Sequence, residues 1–141
     1  MNELNFKPVV DTPPEIGHVL TVRLCREDEL PLYHELMRTH HYLKGGRSAG
    51  ETLRYIAEVD GRIVALLTWG AAAYKLRHRD DWIGWGLGLR KQRLKLVVQN
   101  RRFCLLTERG EAPNLASQVL GACLRRLRAD WLECFGYKPL I

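Results

Sequence analysis

The sequence predicts an α/β domain in which a sheet is flanked by helices. Three observations lead to this class. Short strand-like and helix-like segments follow one another in the order strand, helix, strand, strand, helix, strand, helix. An Asp-Gly pair at 60–61 separates two apolar strands. A long segment at 114–135 carries an apolar stripe at helical spacing. The 141 residues are enough for one domain with one hydrophobic core.

The first part of the chain is predicted to contain a leader, a strand and a helix. Residues 1–18 include three prolines and show no periodicity, so we interpret them as a leader or linker. Val19–Cys25 alternates apolar and polar residues, which is typical of a strand. Acidic residues at 27–29 favour a helix N-terminus. That helix is expected to reach about Thr39, and Gly45-Gly46 is expected to end it.

The strongest local signal is a β-hairpin. Leu53–Val59 and Arg62–Thr68 flank Asp60-Gly61, and an Asp-Gly pair suits the two positive-φ positions of a type I′ turn. Ala71–Lys75 is predicted to follow the hairpin as a short helical turn.

Two further elements are predicted before the long helix. Leu87–Val98 is expected to form a helix that turns Leu87, Leu94, Val97 and Val98 inward and its basic residues outward. Arg102–Leu106 is expected to be a strand.

The long helix has clear signals at both ends. Asn114 is predicted to be its N-cap, and Gly136 is predicted to end it after Phe135. Pro139–Ile141 is predicted to begin another strand.

The net charge of +6 is concentrated in one segment. Residues 75–102 contain nine Lys or Arg and two Asp, a net charge of +7, so the rest of the chain nets −1. A basic stripe of this kind attracts phosphate backbones, and the alternative is a solvated helix face. DNA or RNA is therefore a predicted partner. The predicted contact residues are Arg79, Trp82, Trp85, Arg90, Lys91, Arg93, Lys95, Arg101 and Arg102.

A cluster of charged and aromatic residues lies at the start of this segment. Arg79, Asp80 and Asp81 precede Trp82 and Trp85, which favours a charged site whose aromatic rings stack on a base. The alternative is an Arg–Asp pair that pins a loop over a tryptophan-rich core.

Candidates for catalysis are few. His41, Arg79 and Asp80 are the side chains that suit acid–base or charged chemistry, but His41 has no evident orienting partner in the sequence. Tyr42 is expected to cap the first helix against the core. No Ser/His/Asp or Cys/His arrangement and no phosphate-binding loop is evident, and no metal site is predicted.

The cysteines and the hydropathy pattern favour a cytoplasmic protein. Cys25, Cys104, Cys123 and Cys134 form no CxxC pair, so we expect free thiols in a reducing compartment. No apolar run approaches the roughly 20 residues of a membrane helix, and no signal peptide is evident.

The order of elements is similar to the N-terminal part of the GNAT acetyltransferase fold, and the hairpin at 55–65 resembles hairpins of that family. The resemblance implies a mixed sheet flanked by helices and an acetyl-CoA pyrophosphate held at the start of the long helix. The matching stretch is 111–117, so Asn114, Ala116 and Ser117 are the cofactor-binding candidates. Glu111 replaces an Arg or Gln of the family pattern, and Pro113 lacks an N–H donor.

A second resemblance rests on short motifs in a fixed order. They are His41-Tyr42-Leu43, Arg79-Asp80-Asp81-Trp82-Ile83-Gly84-Trp85, Asn100-Arg101-Arg102-Phe103, Asn114-Leu115-Ala116-Ser117, Asp130-Trp131 and Gly136-Tyr137-Lys138-Pro139. This set resembles the DruA family of Druantia anti-phage defence systems, whose members also occur beside transposases. The family pattern continues past Pro139, so the domain at 19–141 is expected to be incomplete at its C-terminus.

The resemblance implies a component of a defence system or mobile element that acts through nucleic acid or other defence-system proteins. Two alternatives stay open: an acyltransferase that uses acetyl-CoA, and an inactive fragment of a longer protein of this family.

Overall fold

The computed structural model describes residues 19–43, 50–108 and 112–140. The predicted leader, the predicted stop at Gly45-Gly46, Glu111 and Ile141 lie outside these ranges. The strands are β1 (Leu20–Leu24), β2 (Thr52–Val59), β3 (Arg62–Ala71) and β4 (Val98–Leu105). The helices are α1 (Leu30–His40), α2 (Arg77–Ile83), α3 (Leu87–Arg93) and α4 (Leu115–Phe135). Short 3-10 turns precede α1 at Glu27–Glu29 and follow α3 at Leu94–Leu96.

The four described strands form one sheet in the order β1-β2-β3-β4, and every neighbouring pair is antiparallel. Helices pack on both faces of this sheet, so the predicted α/β class is confirmed. The likeness to the acetyltransferase fold stays a prediction. None of the described helices combines the length and the apolar character that crossing a bilayer requires.

The predicted hairpin is confirmed. β2 and β3 pair from Thr52 opposite Gly70 to Val59 opposite Arg62. Asp60 and Gly61 have φ angles of 51° and 75°, as the type I′ turn requires. The connection is therefore the two-residue turn that the Asp-Gly pair predicts.

The two faces of the sheet bury different sets of side chains. The larger core lies under α4, where Val119, Leu127 and Trp131 pack against β2 and β3. The smaller core lies under α1, where Tyr33 and Met37 pack on the opposite face. Each fully buried apolar side chain contributes on the order of 1.5–3 kcal/mol, so both helices are held mainly by burial.

The predicted boundaries between β3 and β4 are wrong in two places. No helical turn forms at 71–75, because Ala71 belongs to β3 and α2 begins only at Arg77. The helix expected over 87–98 ends at Arg93, and β4 already begins at Val98. Val98 pairs with Ala71 and is buried in the larger core. The burial of Val98 and its pairing with β3 favour a strand over a longer helix, because a β-branched side chain suits a strand better than a helix.

The ends of α4 are where the sequence places them, but one cap differs. Gly136 ends the helix with φ 82°, and its N–H donates to the Leu132 carbonyl at 2.8 Å. Asn114 is the N-cap residue, as predicted, but its φ is 64° and its side chain makes no capping hydrogen bond. No strand is assigned at 139–140, where the Leu140 N–H donates to the Leu96 carbonyl at 2.7 Å.

Candidate functional site

Most of the predicted contact residues lie in one helical insert between β3 and β4, residues 72–97. The insert contains α2 and α3, and neither helix buries a residue. At its base the Ala72 N–H donates to the Val97 carbonyl at 3.1 Å, which brings the two ends of the insert together beside the sheet. The insert therefore presents its side chains to solvent while the sheet fixes its two ends.

Asp80 holds the two helices of the insert together. Arg79 donates to Asp80 Oδ1 from Nε and Nη2, at 3.1 and 2.7 Å, and Arg90 Nη1 donates to Oδ2 at 3.1 Å. The Leu76 N–H also donates to Oδ2, at 3.1 Å. Hydrogen bonding from Arg79, followed by the bond from Leu76, keeps the pKa of Asp80 below its usual value. We call the three charged residues the Asp80 clamp.

The Asp80 clamp has a net positive charge. Two guanidinium groups share one carboxylate, so the clamp nets +1. Its side chains are only 10–13% exposed. Arg79 Nη1 and Arg90 Nε are buried donors that find no hydrogen-bond partner among the described residues. Arg90 also lies over the ring of Tyr74, at 5.6 Å from its centroid. The negative charge of Asp80 is thus enclosed, and the insert keeps a cationic centre.

Trp82 projects from the opposite side of α2. Its side chain is 88% exposed, and it shares this outer face with Arg77, His78 and Asp81. The alternative in which an Arg–Asp pair pins a loop over a tryptophan-rich core is therefore only half right. The pair exists between Arg79 and Asp80, but Trp82 covers no core. Trp85, in the link between α2 and α3, is half-buried.

Beyond Arg90, the cations of α3 and the following turn have no acidic partner among the described residues. No hydrogen bond or ion pair connects the exposed Lys91 and Arg93 with the part of the chain that the structure describes. Lys95 Nζ lies 5.4 Å from the centroid of the Tyr137 ring and is otherwise exposed. These three side chains are available for an external anion.

Two of the predicted contact residues, Arg101 and Arg102, lie in β4 and bond to backbone carbonyls. Arg101 lies at an irregularity in the β3–β4 register, between the partners of Thr68 and Trp69. Its guanidinium passes over Gly70, where an added Cβ would lie 2.4 Å from Nε, and donates to the Ala71 carbonyl at 2.7 Å. Arg102 donates to the carbonyl of Arg101 at 2.7 Å. Both cations therefore stabilise the strand at the base of the insert.

His41 is not joined to the clamp by any contact among the described residues. It is buried, and its Nδ1 accepts a hydrogen bond from the Leu43 N–H at 3.2 Å. Burial, and secondarily the charge of Arg102, lowers the pKa of His41. Tyr42 stacks on the His41 ring at 4.6 Å but is 83% exposed, so the expectation that Tyr42 caps α1 against the core is wrong. The histidine, not the tyrosine, packs inward.

The three cofactor-binding candidates lie together at the start of α4, away from the insert in sequence. Asn114 has a left-handed backbone that asparagine tolerates. Ala116 is half-buried and Ser117 is exposed in the first turn. Pro113 supplies no N–H here, and Asn114 offers no side-chain cap, so these residues present an ordinary helix start. Acetyl-CoA binding stays a prediction. No group of three His, Cys, Asp or Glu side chains in the described ranges could hold a metal.

A buried charged network between α4 and the sheet involves none of the predicted site residues. Tyr55 Oη donates to Asp130 Oδ2 at 2.8 Å, and Arg126 Nε donates to the same oxygen at 2.6 Å. Arg126 Nη1 also donates to the Val22 carbonyl at 2.6 Å. The i,i+4 spacing of Arg126 and Asp130 was the available signal. The contact with Tyr55 bridges 75 positions along the chain and has no local signature.

These features define the class: an α/β domain with an antiparallel sheet and an exposed insert rich in basic and aromatic side chains. A family model described as Druantia protein DruA matches residues 7–141. The chain therefore belongs to the DruA family, and this membership suggests a component of a Druantia anti-phage defence system. No curated protein and no solved structure matches the chain.

Proposed function

We propose that this DruA-family protein contributes to anti-phage defence by binding nucleic acid through the insert at 72–97. The observation that supports this most directly is which charged side chains of the insert are paired and which are not. Its acidic residue Asp80 is enclosed by Arg79 and Arg90, whereas Lys91 and Arg93 are exposed and have no partner among the described residues. A surface of unpaired cations fits a polyanion.

The charge count supports the same surface. The insert contains seven Lys or Arg and two Asp, a net charge of +5 within 26 residues. Asp81, the other acid, lies 3.7 Å from Arg77 Nε and is exposed with it. Both acids of the insert are therefore paired with arginine. Neither offers an unpaired negative charge that would offset Lys91, Arg93 and Lys95.

Contact with another protein of the defence system is the second candidate. It is favoured by exposed apolar side chains of the insert, Leu76, Leu87 and Leu89. A protein partner would need an acidic and apolar surface, and its binding would depend less steeply on salt than that of a nucleic acid. Salt dependence therefore separates the two candidates.

Fluorescence anisotropy with a labelled 20-nucleotide DNA, measured at several salt concentrations, tests the proposal. The variant Lys91→Gln/Arg93→Gln removes two of the unpartnered cations. We expect it to weaken binding and to reduce the slope of log affinity against log salt by about 1.5–2, roughly one per lost phosphate contact.

The matched control is Arg38→Gln/Arg125→Gln, which removes the same charge from the exposed surfaces of α1 and α4. It is expected to leave the slope nearly unchanged, because its cations lie outside the insert. Equal effects of the two double variants, or no binding by the unmodified chain at low salt, would exclude the insert as a nucleic-acid surface.

A further inference from the structure

We propose that Trp82 is a stacking platform for an unpaired base, so that the insert selects single-stranded nucleic acid over duplex. This inference rests on the proposed function and specifies its substrate class. It follows from the position of one aromatic ring that the fold does not use, within a surface whose other side chains suit phosphate.

No contact with the described residues accounts for a tryptophan at position 82. Its ring is 88% exposed, and it makes no ring contact or hydrogen bond with the described residues. An indole presents a large flat face, and every unpaired base can stack on such a face. The bases of an intact duplex are already stacked on one another, so they offer no face to Trp82 without local opening of the helix.

The platform is held in place although it is exposed. Trp82 lies in the last turn of α2, which ends at Gly84 with φ 73°. The Gly84 N–H donates to the Asp80 carbonyl at 3.0 Å, and the Asp80 side chain is bonded to α2 and α3 through the clamp. A ring on a fixed turn loses less conformational entropy on binding than a ring on a mobile loop.

The surroundings of Trp82 favour a nucleic acid over a protein partner. Helical spacing puts His78 four residues before Trp82 on the outer face of α2, and Arg77 lies on that face as well. The acid on this face, Asp81, is paired with Arg77. An exposed indole on an insert with a net charge of +5 complements a base that is attached to phosphate.

The experiment compares three labelled probes of one mixed 20-nucleotide sequence: single-stranded DNA, single-stranded RNA and duplex DNA. The whole 141-residue chain is expected to bind at least one single strand more tightly than the duplex. Trp82→Ala is expected to weaken single-strand binding by about 5- to 150-fold, the range for loss of one base–aromatic stack, and to leave duplex binding within about twofold. Trp82→Phe, which retains a ring, is expected to recover most of the affinity.

The matched control is Tyr42→Ala, because Tyr42 is an equally exposed aromatic residue outside the insert. It should leave all three affinities unchanged. Thermal unfolding of each variant, followed by circular dichroism, should coincide with that of the unmodified chain, since neither ring belongs to a core.

The outcomes separate this inference from the proposed function. Suppose that Lys91→Gln/Arg93→Gln weakens binding while Trp82→Ala does not, or that duplex binds as tightly as both single strands. The insert then contacts backbone alone, and the inference is overturned while the proposed function stands. If no probe binds at low salt, the proposed function fails first. In that case contact with a protein would account for the exposed Trp82. The inference is then overturned together with the proposed function.

Discussion

Replacement of Asp130 by Ala is expected to destabilise the fold without touching the insert. Asp130 is buried, and its carboxylate accepts hydrogen bonds from Tyr55 and Arg126. Without it the fully buried Tyr55 hydroxyl is left as an unsatisfied donor, which costs about 1–3 kcal/mol. Arg126 is 37% exposed and keeps its hydrogen bond to the Val22 carbonyl. Losing its ion pair with Asp130 therefore costs only about 1 kcal/mol. The total is about 2–4 kcal/mol of unfolding free energy.

Chemical denaturation followed by tryptophan fluorescence measures this loss directly. A domain of this length loses about 4 °C in Tm per kcal/mol, so the expected decrease is about 8–16 °C. Glu133→Ala is the control, because Glu133 is exposed on the same helix and should change the unfolding free energy by less than about 0.5 kcal/mol.

A double-mutant cycle tests the physical reason for the loss. Tyr55→Phe alone is expected to cost about 1 kcal/mol, because Arg126 still satisfies Asp130. In the Tyr55→Phe background, Asp130→Ala leaves no buried hydroxyl unsatisfied. The loss of unfolding free energy caused by Asp130→Ala should therefore be smaller by about 1–3 kcal/mol. Costs that add within about 0.5 kcal/mol, or a single Asp130→Ala variant as stable as Glu133→Ala, would refute the reasoning.

The remaining predictions concern pH and thiol reactivity. Hydrogen bonding from Arg23 lowers the pKa of Glu29 to about 2. A lowered carboxyl pKa stabilises the fold above the ordinary value of 4.5, and the contribution disappears as pH falls from 4.5 towards 2. Tm should therefore fall over that interval, and Glu29→Gln should make the fall shallower. With a thiol reagent at pH 8, the exposed Cys134 should react first. Cys123, whose burial raises its thiol pKa to about 12, should react only as the chain unfolds, and simultaneous reaction would contradict the described core.

The sequence predicts well where the signal is local and strong. The Asp60-Gly61 turn and the long stripe of α4 are confirmed, because turn chemistry and helical periodicity act within a few residues. The boundaries at 71–75 and 87–98 are wrong. The apolar residues that predict a helix over 87–98 share no buried helix face, because Leu87 is exposed and Val98 is buried in β4. There the pairing of Val98 with β3, a tertiary contact, decides where the helix stops.

The candidate site could be predicted in composition but not in geometry. A sequence identifies Arg79, Asp80 and Arg90 as charged residues, but only the packing of α2 on α3 brings the second guanidinium to the same carboxylate. The sequence leaves open whether Trp82 is exposed for stacking or buried in a core, because large aromatic residues are usually buried and nothing local distinguishes the exception. The network of Tyr55 with Asp130 likewise depends on the contact between β2 and α4.

The structure divides the basic segment into two groups of charges with different consequences. Arg101 and Arg102 donate to backbone carbonyls at the base of the insert, so removing them weakens the junction of β3 and β4. The side chains of Lys91 and Arg93 make no hydrogen bond or ion pair with the described residues, and α3 contains no buried residue. Removing these two should therefore cost the fold little. Any large functional effect of such variants then reports on an external partner, because the domain itself gains nothing from those charges.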